Sequence, residues 1–252
     1  MPIYDYPCNE RVRIMLRLED LLAKMQHSAL SEHKFDHHSA LLIMFQILDL
    51  IDRSDLKSDL LQELERQRLI MANLTGNPVI AEDTLKSMIS EIEQAALGLR
   101  TMSGRIGQTL RDNEWLMGVK QRAMIPGGAC EFDVPSYHYW LGRAVKDRQT
   151  VLQTWFAPLQ TLQEALRVIL HILRGSGAAT PCQTHQGAYQ QMLSGAKPAQ
   201  MLRVILPEDA TCFPEISANK YAINIRFSQF EGTQKPRPCD IALSFDLALC
   251  NL

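Results

Sequence analysis

The sequence predicts an α+β protein: an N-terminal helical domain with a mostly antiparallel β domain formed by the C-terminal segment plus short strands from the N-terminus and mid-chain. Apolar residues recur at helical spacing through most of the chain up to Gly175, and beyond it short runs have a period of two. Two further alternating stretches, at 2–6 and 129–134, are expected to join the sheet. The predicted domains are therefore a helical domain at 8–176 and a β domain at 177–252.

Composition excludes several classes of protein. With 252 residues, 46% of them apolar and 21% charged, the chain is typical of a soluble globular protein and not of a disordered one. The formal net charge of −2 gives no overall attraction to nucleic acid or anionic lipid, so neither is an expected partner. No apolar run approaches the roughly 18 residues that span a bilayer. The residues from Met1 to Asp5 also lack the basic start and apolar core of a signal peptide.

The cysteines and histidines predict no metal and no cofactor. The six cysteines are scattered without a CxxC pair, which favours reduced thiols in a cytosolic protein. His33 and His37 are four residues apart, a metal-binding spacing on a helix, but no HExxH motif and no nearby ligand set accompanies them.

The first hundred residues predict a strand and four helices. A short edge strand at 1–7 is followed by a helix whose apolar stripe is Ile14, Leu18, Leu21, Leu22 and Met25. Asp36 is expected to cap a helix that runs to about Asp52 and is apolar on almost every side, which predicts burial or an interface. Ser54 is expected to cap the first helix of an acidic antiparallel hairpin at 54–97.

The middle of the chain predicts a change from helix to strand. The segment from 98 to 124 contains five basic residues and only two acidic ones, and two short helices are expected in it. The run Ile125-Pro126-Gly127-Gly128 cannot continue a helix. Residues 129–134 then alternate apolar and acidic side chains, which predicts a half-buried strand with Cys130 on its buried side.

The remaining elements are two helices and a β segment. Pro135 is expected to open a short aromatic helix, and Pro158 is expected to be the first residue of a long helix ending at Gly175. The segment from 178 to the C-terminus predicts about five antiparallel strands, with its clearest runs at 200–206, 219–229 and 239–249.

No catalytic constellation is evident. There is no GxSxG elbow, Walker loop or GxGxxG motif, so the chain is not expected to be an enzyme. Cys130 and His138 offer a formal nucleophile–base pair, but a buried Cys130 would not serve.

A mixture of cations and aromatic residues points instead to recognition. The basic side chains between residues 105 and 143 share that stretch with Tyr137, Tyr139 and Trp140. Such a surface suits an acidic peptide with apolar anchors, or single-stranded nucleic acid. Alternatively, the arginines only pair with Asp112, Glu131 and Asp133, and spacing alone leaves both interpretations open.

Many stretches of the chain match one known family. The matching stretches are Tyr6-Pro7, Asn9-Glu10, Arg13, Leu16-Arg17-Leu18-Glu19, Arg105-Ile106-Gly107-Gln108, Leu110-Arg111, Gln121-Arg122, Ile125-Pro126-Gly127-Gly128, Phe132-Asp133, Pro135, His138, Trp140-Leu141 and Ile225-Arg226-Phe227. In these residues the chain resembles the ZapD family of bacterial cell-division proteins, in register over nearly its whole length.

The resemblance implies a function that spacing does not show. Members of this family are homodimers, are not enzymes, bind the C-terminal tail of FtsZ (the tubulin-like GTPase of the division ring), and bundle FtsZ filaments. The implied location is the cytoplasm, at the mid-cell ring. The residues that match the family's basic, tail-binding groove are Arg13, Arg17, Lys120, Arg122, His138, Arg226 and Arg237. The chain departs from the family pattern at Glu114 and near Ala222, where relatives carry arginine.

Overall fold

The computed structural model of the chain describes residues 1–52, 55–76, 81–193 and 198–252. The expected helix cap Ser54 lies outside these residues.

The described residues form eight helices and eight strands, which confirms the predicted α+β class. In chain order these are β1 (Ile3–Pro7), α1 (Glu10–Leu30), α2 (Lys34–Ile51), α3 (Leu56–Asn73), α4 (Glu82–Thr101), α5 (Gln108–Arg111), α6 (Glu114–Ala123), α7 (Pro135–Leu141), α8 (Val145–Gly175), β2 (Ala179–Gln183), β3 (Ala188–Met192), β4 (Met201–Ile205), β5 (Phe213–Ala218), β6 (Ala222–Gln229), β7 (Arg237–Pro238) and β8 (Ser244–Cys250).

The chain divides into two compact units. The β unit consists of Met1–Leu16 and Leu170–Leu252, and the helical unit of Arg17–Ile169. Because α1 and α8 each contribute residues to both units, the predicted boundary between residues 176 and 177 stays a prediction.

Helix α2 lies in the core of the helical unit, as its apolar surface predicts. Ala40, Met44 and Ile47 are fully buried. The helix begins two residues before the expected cap, because the His33 ring accepts a hydrogen bond from the Phe35 amide at 3.3 Å and so satisfies one free donor of the first turn. Asp36 instead accepts a hydrogen bond from the Ser31 hydroxyl.

The expected helix start at Pro158 is wrong, because Pro158 lies inside the continuous helix α8. A proline within a helix removes one backbone hydrogen bond and costs about 3 kcal/mol or more. The burial of Leu152, Phe156, Leu159 and Leu162 on both sides of it offsets that cost.

A buried guanidinium joins several elements of the helical unit. Arg148, in the first turns of α8, donates hydrogen bonds to the carbonyl oxygens of Leu141, Arg143 and Glu32. Its Nε also donates to Nδ1 of His37, at 2.8 Å. These bonds satisfy free carbonyl groups at the end of α7 and in the turn before α2.

The β unit contains two antiparallel sheets, with strand orders β1-β4-β8-β2 and β3-β6-β5; β7 pairs with β6. Their inner side chains form one core, in which Phe227 of β6 and Phe245 of β8 have ring centroids 5.2 Å apart. Asp5 on β1 accepts hydrogen bonds from Arg174 and Arg203, both at 2.8 Å, and so joins β1 to β4 and to the end of α8.

The sequence identifies the central strands and the edge strand β1, but it misses the other outer strands. The runs at 200–206, 219–229 and 239–249 contain β4, β6 and β8. Strands β2, β3 and β5 lie at sheet edges and have mixed, partly polar sequences, with Pro181 and Pro214 tolerated there. An edge strand buries less, so alternation of polarity is weaker there.

The predicted strand at 129–134 is wrong. These residues form consecutive turns, in which the amides of Asp133 and Val134 both donate to the carbonyl of Cys130, at 3.2 and 2.9 Å. The alternating residues are mostly exposed, with Phe132 at 79%, and Cys130 is exposed as well. Local bonds satisfy the backbone here, so no sheet partner is needed.

The prediction that all cysteines are reduced is wrong for one pair. Cys212 and Cys239 form a disulfide in the β unit, and four cysteines are free. Sequence could not identify this pair, because connectivity is set by the fold. Burial raises the pKa of one of the free thiols, Cys8, to about 11, which keeps it protonated and unreactive at neutral pH.

No helix among the described residues has the length and apolar character of a membrane span.

The His37–Arg148 contact predicts a loss of stability in mild acid. His37 is fully buried, and its Nδ1 must accept from Arg148, so the ring is neutral with its proton on Nε2, which donates to the Ser31 carbonyl at 2.7 Å. Burial, followed by the Arg148 charge, lowers the pKa of His37 below 6.5. Since the unfolded chain binds this proton more readily, the free energy of unfolding should fall as pH drops below about 6.5.

Urea denaturation at about pH 7.5 and about pH 5.5 would measure this effect. The acid-induced loss should be smaller in His37→Gln than in the control His171→Gln, whose histidine is exposed. Equal losses in the two variants would show that His37 does not cause the effect.

Candidate functional site

The seven residues expected to bind the tail are divided between the two units. Arg17, Lys120, Arg122 and His138 belong to the helical unit; Arg13, Arg226 and Arg237 belong to the β unit.

Lys120 is not free to bind a ligand. It lies on α6, is mostly buried, and forms an ion pair with Asp49 of α2. Arg111, one turn before α6, is likewise held, by Asp52 at 2.7 Å and by the carbonyls of Ile106 and Leu48. Both cations therefore support the packing of α2.

Three of the seven are exposed arginines without an ion pair within the described chain: Arg17 on α1, Arg122 at the end of α6 and Arg226 on β6. An exposed guanidinium with no partner is available for a carboxylate, which it can bind through two parallel hydrogen bonds.

The other three have weak, exposed partners. Arg13 lies 3.1 Å from Glu10, and His138 lies 3.7 Å from Glu131. Arg237 donates to the Gln234 side chain. Exposed pairs of this kind contribute about 1 kcal/mol or less, so a ligand can displace them.

The turns after α6 give Arg122 a defined position. The Arg122 carbonyl accepts from the Ile125 amide at 3.0 Å, and the Ile125 carbonyl accepts from Gly128 at 2.8 Å. A Cβ on Gly128 would lie 2.4 Å from the Arg122 carbonyl oxygen, so only glycine fits. Gly127 adopts a left-handed conformation with φ of 73°.

These turns and helix α7 expose large apolar side chains beside the basic ones. Met124, Ile125, Phe132 and Tyr139 are 70%, 50%, 79% and 74% exposed. Sequence could place these residues near Arg122, but the incorrect strand assignment hid the exposure of Phe132. Exposed apolar groups next to cations suit a peptide that carries both acidic and apolar residues.

The other aromatic residues of this stretch are structural. Tyr137 and Trp140 are buried and stack with ring centroids 5.8 Å apart, in a cluster that includes Trp115 and Trp155. The Tyr137 hydroxyl lies 2.7 Å from the His38 ring. Two of the three aromatic rings that could have stacked on nucleic-acid bases are therefore unavailable.

The formal Cys130–His138 pair is not assembled. The Cys130 thiol donates to the Gly127 carbonyl at 2.7 Å, and the nearest charged partner of His138 is Glu131. No group of His, Cys, Asp and Glu suited to a metal ion occurs among the described residues.

Comparison with known proteins identifies the family. The model of the ZapD family, described as a cell division protein, matches residues 16–226. The chain is 47% identical to the "Cell division protein ZapD" of Azoarcus sp. (strain BH72), over 99% of each chain. It is 46% identical to that of Dechloromonas aromatica (strain RCB), over the full length of both.

The chain belongs to the ZapD family. Its role is therefore in cell division.

Glu114 and Ala222, where the resemblance implies arginine at or near the position, each fit their local surroundings. Glu114 lies in the first turn of α6, where a negative charge stabilises the helix N-terminus. Ala222 is buried at the start of β6, and its amide donates to the Asn219 side chain at 2.9 Å in the preceding turn.

The different environments of the two basic residues on α6 predict different effects of removing each charge. Lys120→Met breaks the ion pair with Asp49, and should lower the free energy of unfolding by up to about 1 kcal/mol. Arg122→Met removes an unpaired, exposed charge and should change stability by less than about 0.5 kcal/mol.

Urea denaturation of both variants beside the unmodified chain would measure the difference. A larger destabilisation by Arg122→Met than by Lys120→Met would contradict the assignment of structural and free cations.

Proposed function

We propose that this ZapD-family protein binds the C-terminal tail of FtsZ and, as a homodimer, cross-links FtsZ filaments at the mid-cell ring in the cytoplasm. It acts by binding, without catalysing a reaction. The observation that carries the proposal is the unpaired, exposed Arg122, which is followed by hydrogen-bonded turns that expose large apolar side chains.

Arg122 and its surroundings offer two kinds of contact to an extended peptide. Arg122 can bind a carboxylate of the tail, while Met124, Ile125 and Phe132 can bury apolar side chains. Each unit also has a further unpaired cation, Arg17 in the helical unit and Arg226 in the β unit, and each of these can bind a carboxylate by itself. Because these charges are exposed, salt should weaken the binding.

Cross-linking requires two tail sites in one particle. We infer that the dimer interface includes the α3–α4 hairpin and not helix α2. The alternative, α2, is buried within its own unit. Helix α3 in contrast exposes two consecutive large apolar residues, Leu69 at 51% and Ile70 at 40%.

Dimerisation converts weak binding into bundling. Once one tail is bound, the second site acts on a nearby tail at an effective concentration of about a millimolar. Two modest grooves can therefore hold two filaments together.

Charge reversal should strongly weaken tail binding. Arg122→Glu and Arg226→Glu each replace attraction of a carboxylate by repulsion, and should weaken the affinity about tenfold or more. Fluorescence anisotropy with a labelled synthetic FtsZ tail peptide, at two salt concentrations, would measure this effect.

Arg100→Glu in the helical unit and Lys220→Glu in the β unit are the matched controls. They make the same change in net charge at exposed sites outside the proposed groove. If all four variants bind alike, and as tightly as the unmodified chain, the proposed groove is wrong. Circular dichroism would verify that each variant is folded.

Disrupting the hairpin surface should abolish bundling without abolishing tail binding. The double variant Leu69→Lys, Ile70→Lys places two charges in the proposed apolar interface, and should give a monomer by light scattering. It should bind the tail peptide as before, but fail to co-sediment FtsZ filaments as bundles.

Leu30→Lys is the control, because Leu30 is an exposed apolar residue at the end of α1, outside the hairpin. A hairpin variant that remains dimeric, or a monomeric variant that still bundles filaments, would contradict this part of the proposal. FtsZ that lacks its tail should not co-sediment with the unmodified protein.

A further inference from the structure

Arg226 lies on the outward face of the sheet formed by β3, β6 and β5. Along β6 the side chains of Ile223, Ile225 and Phe227 are buried in the core, and Arg226 between them is exposed. This alternation follows from strand geometry. Arg226 is thus presented to solvent from a strand that is paired on both sides.

An acidic residue lies directly opposite Arg226. Glu215 of β5 is its partner in the antiparallel register, so their Cβ atoms are about 5 Å apart and their side chains share one face. At this separation an ion pair needs only a change of side-chain rotamer. Arg226 nevertheless has no ion pair among the described residues.

Another contact holds the carboxylate of Glu215. The Ser228 hydroxyl donates to Oε2 of Glu215 at 2.9 Å. Ser228 is two residues after Arg226 on the same strand face, and its side chain is buried. A hydrogen bond to a carboxylate is charge-assisted, and its donor here is a buried hydroxyl, so it competes with an exposed ion pair.

The geometry points to Glu215 as an internal competitor for the site at Arg226, and to Ser228 as the positioning residue that holds this competitor away. The ligand is a carboxylate. That this carboxylate belongs to the FtsZ tail rests on the proposed function. While Ser228 holds Glu215, Arg226 is open to the ligand; if Glu215 is released, it occupies Arg226 itself. The pair thus sets the affinity of this part of the site.

Two substitutions change the competition in opposite directions. Glu215→Gln keeps an acceptor for Ser228 but removes the negative charge, and should tighten binding of the synthetic FtsZ tail peptide about two- to fivefold. Ser228→Ala releases the carboxylate and should weaken binding by a similar factor. In the double variant, which combines both substitutions, Ser228→Ala should not change the peptide affinity relative to Glu215→Gln alone, because the competing charge is absent.

Glu208→Gln is the control for Glu215→Gln, since Glu208 is an exposed carboxylate of the β unit that does not pair with β6. The effect of Glu215→Gln should shrink as salt rises, and Glu208→Gln should have little effect at any salt concentration. A purely structural role of Ser228 would weaken binding equally in both backgrounds and would overturn the inference. Unchanged affinity in Glu215→Gln would overturn it as well.

A second measurement separates this inference from the proposed function. Phenylglyoxal modification of Arg226, followed by mass spectrometry, reports on its ion pairing without FtsZ. Modification should be slower in Ser228→Ala than in the unmodified chain. It should be as fast in the double variant as in Glu215→Gln alone. If the tail peptide does not bind but this pattern is seen, the FtsZ proposal is wrong and the competition is real. If modification is unaffected by Ser228→Ala, the competition is refuted.

Discussion

The helical unit depends on one buried cation, Arg148, each of whose three guanidinium nitrogens donates a hydrogen bond inside the protein. Arg148 bonds to carbonyl groups at the end of α7 and before α2, and to the neutral ring of His37. A buried charge is costly unless its hydrogen bonds are satisfied, and here those same bonds close two chain reversals. Helix α7, which carries His138 and Tyr139, is thereby fixed at its C-terminal end. Its N-terminal end is fixed by the Trp115 indole, which donates to Ser136 at 2.9 Å.

Positive charge has two separate uses in this chain. Lys120 and Arg111 neutralise carboxylates of α2 and its C-terminal turn, and Arg174 and Arg203 bind Asp5 in the β unit. The remaining arginines that lack such partners are the ones available to a ligand. A net charge of −2 is therefore compatible with individual arginines that are available to a ligand.

How much the sequence predicts depends on whether the deciding interactions are local. Periodicity identifies α2 and the central strands, because burial of one face imposes it. It fails at 129–134, where alternation occurs in turns that are closed by their own backbone bonds, and at Pro158, where packing of neighbouring turns overrides a helix breaker. Periodicity also cannot show that Lys120 is held in an ion pair whereas Arg122 is unpaired. Asp49, which decides the matter, is 71 residues away from Lys120.

The three tryptophans of the chain all belong to one cluster in the helical unit, and the β unit has none. Their emission consequently reports on that unit alone, and energy passes readily between rings 5.7 Å apart. Melting of the sheets would be silent at these wavelengths, whereas loosening around α7 would quench or shift the signal. The intrinsic tryptophan fluorescence of the chain therefore reports on the helical unit and not on the β unit.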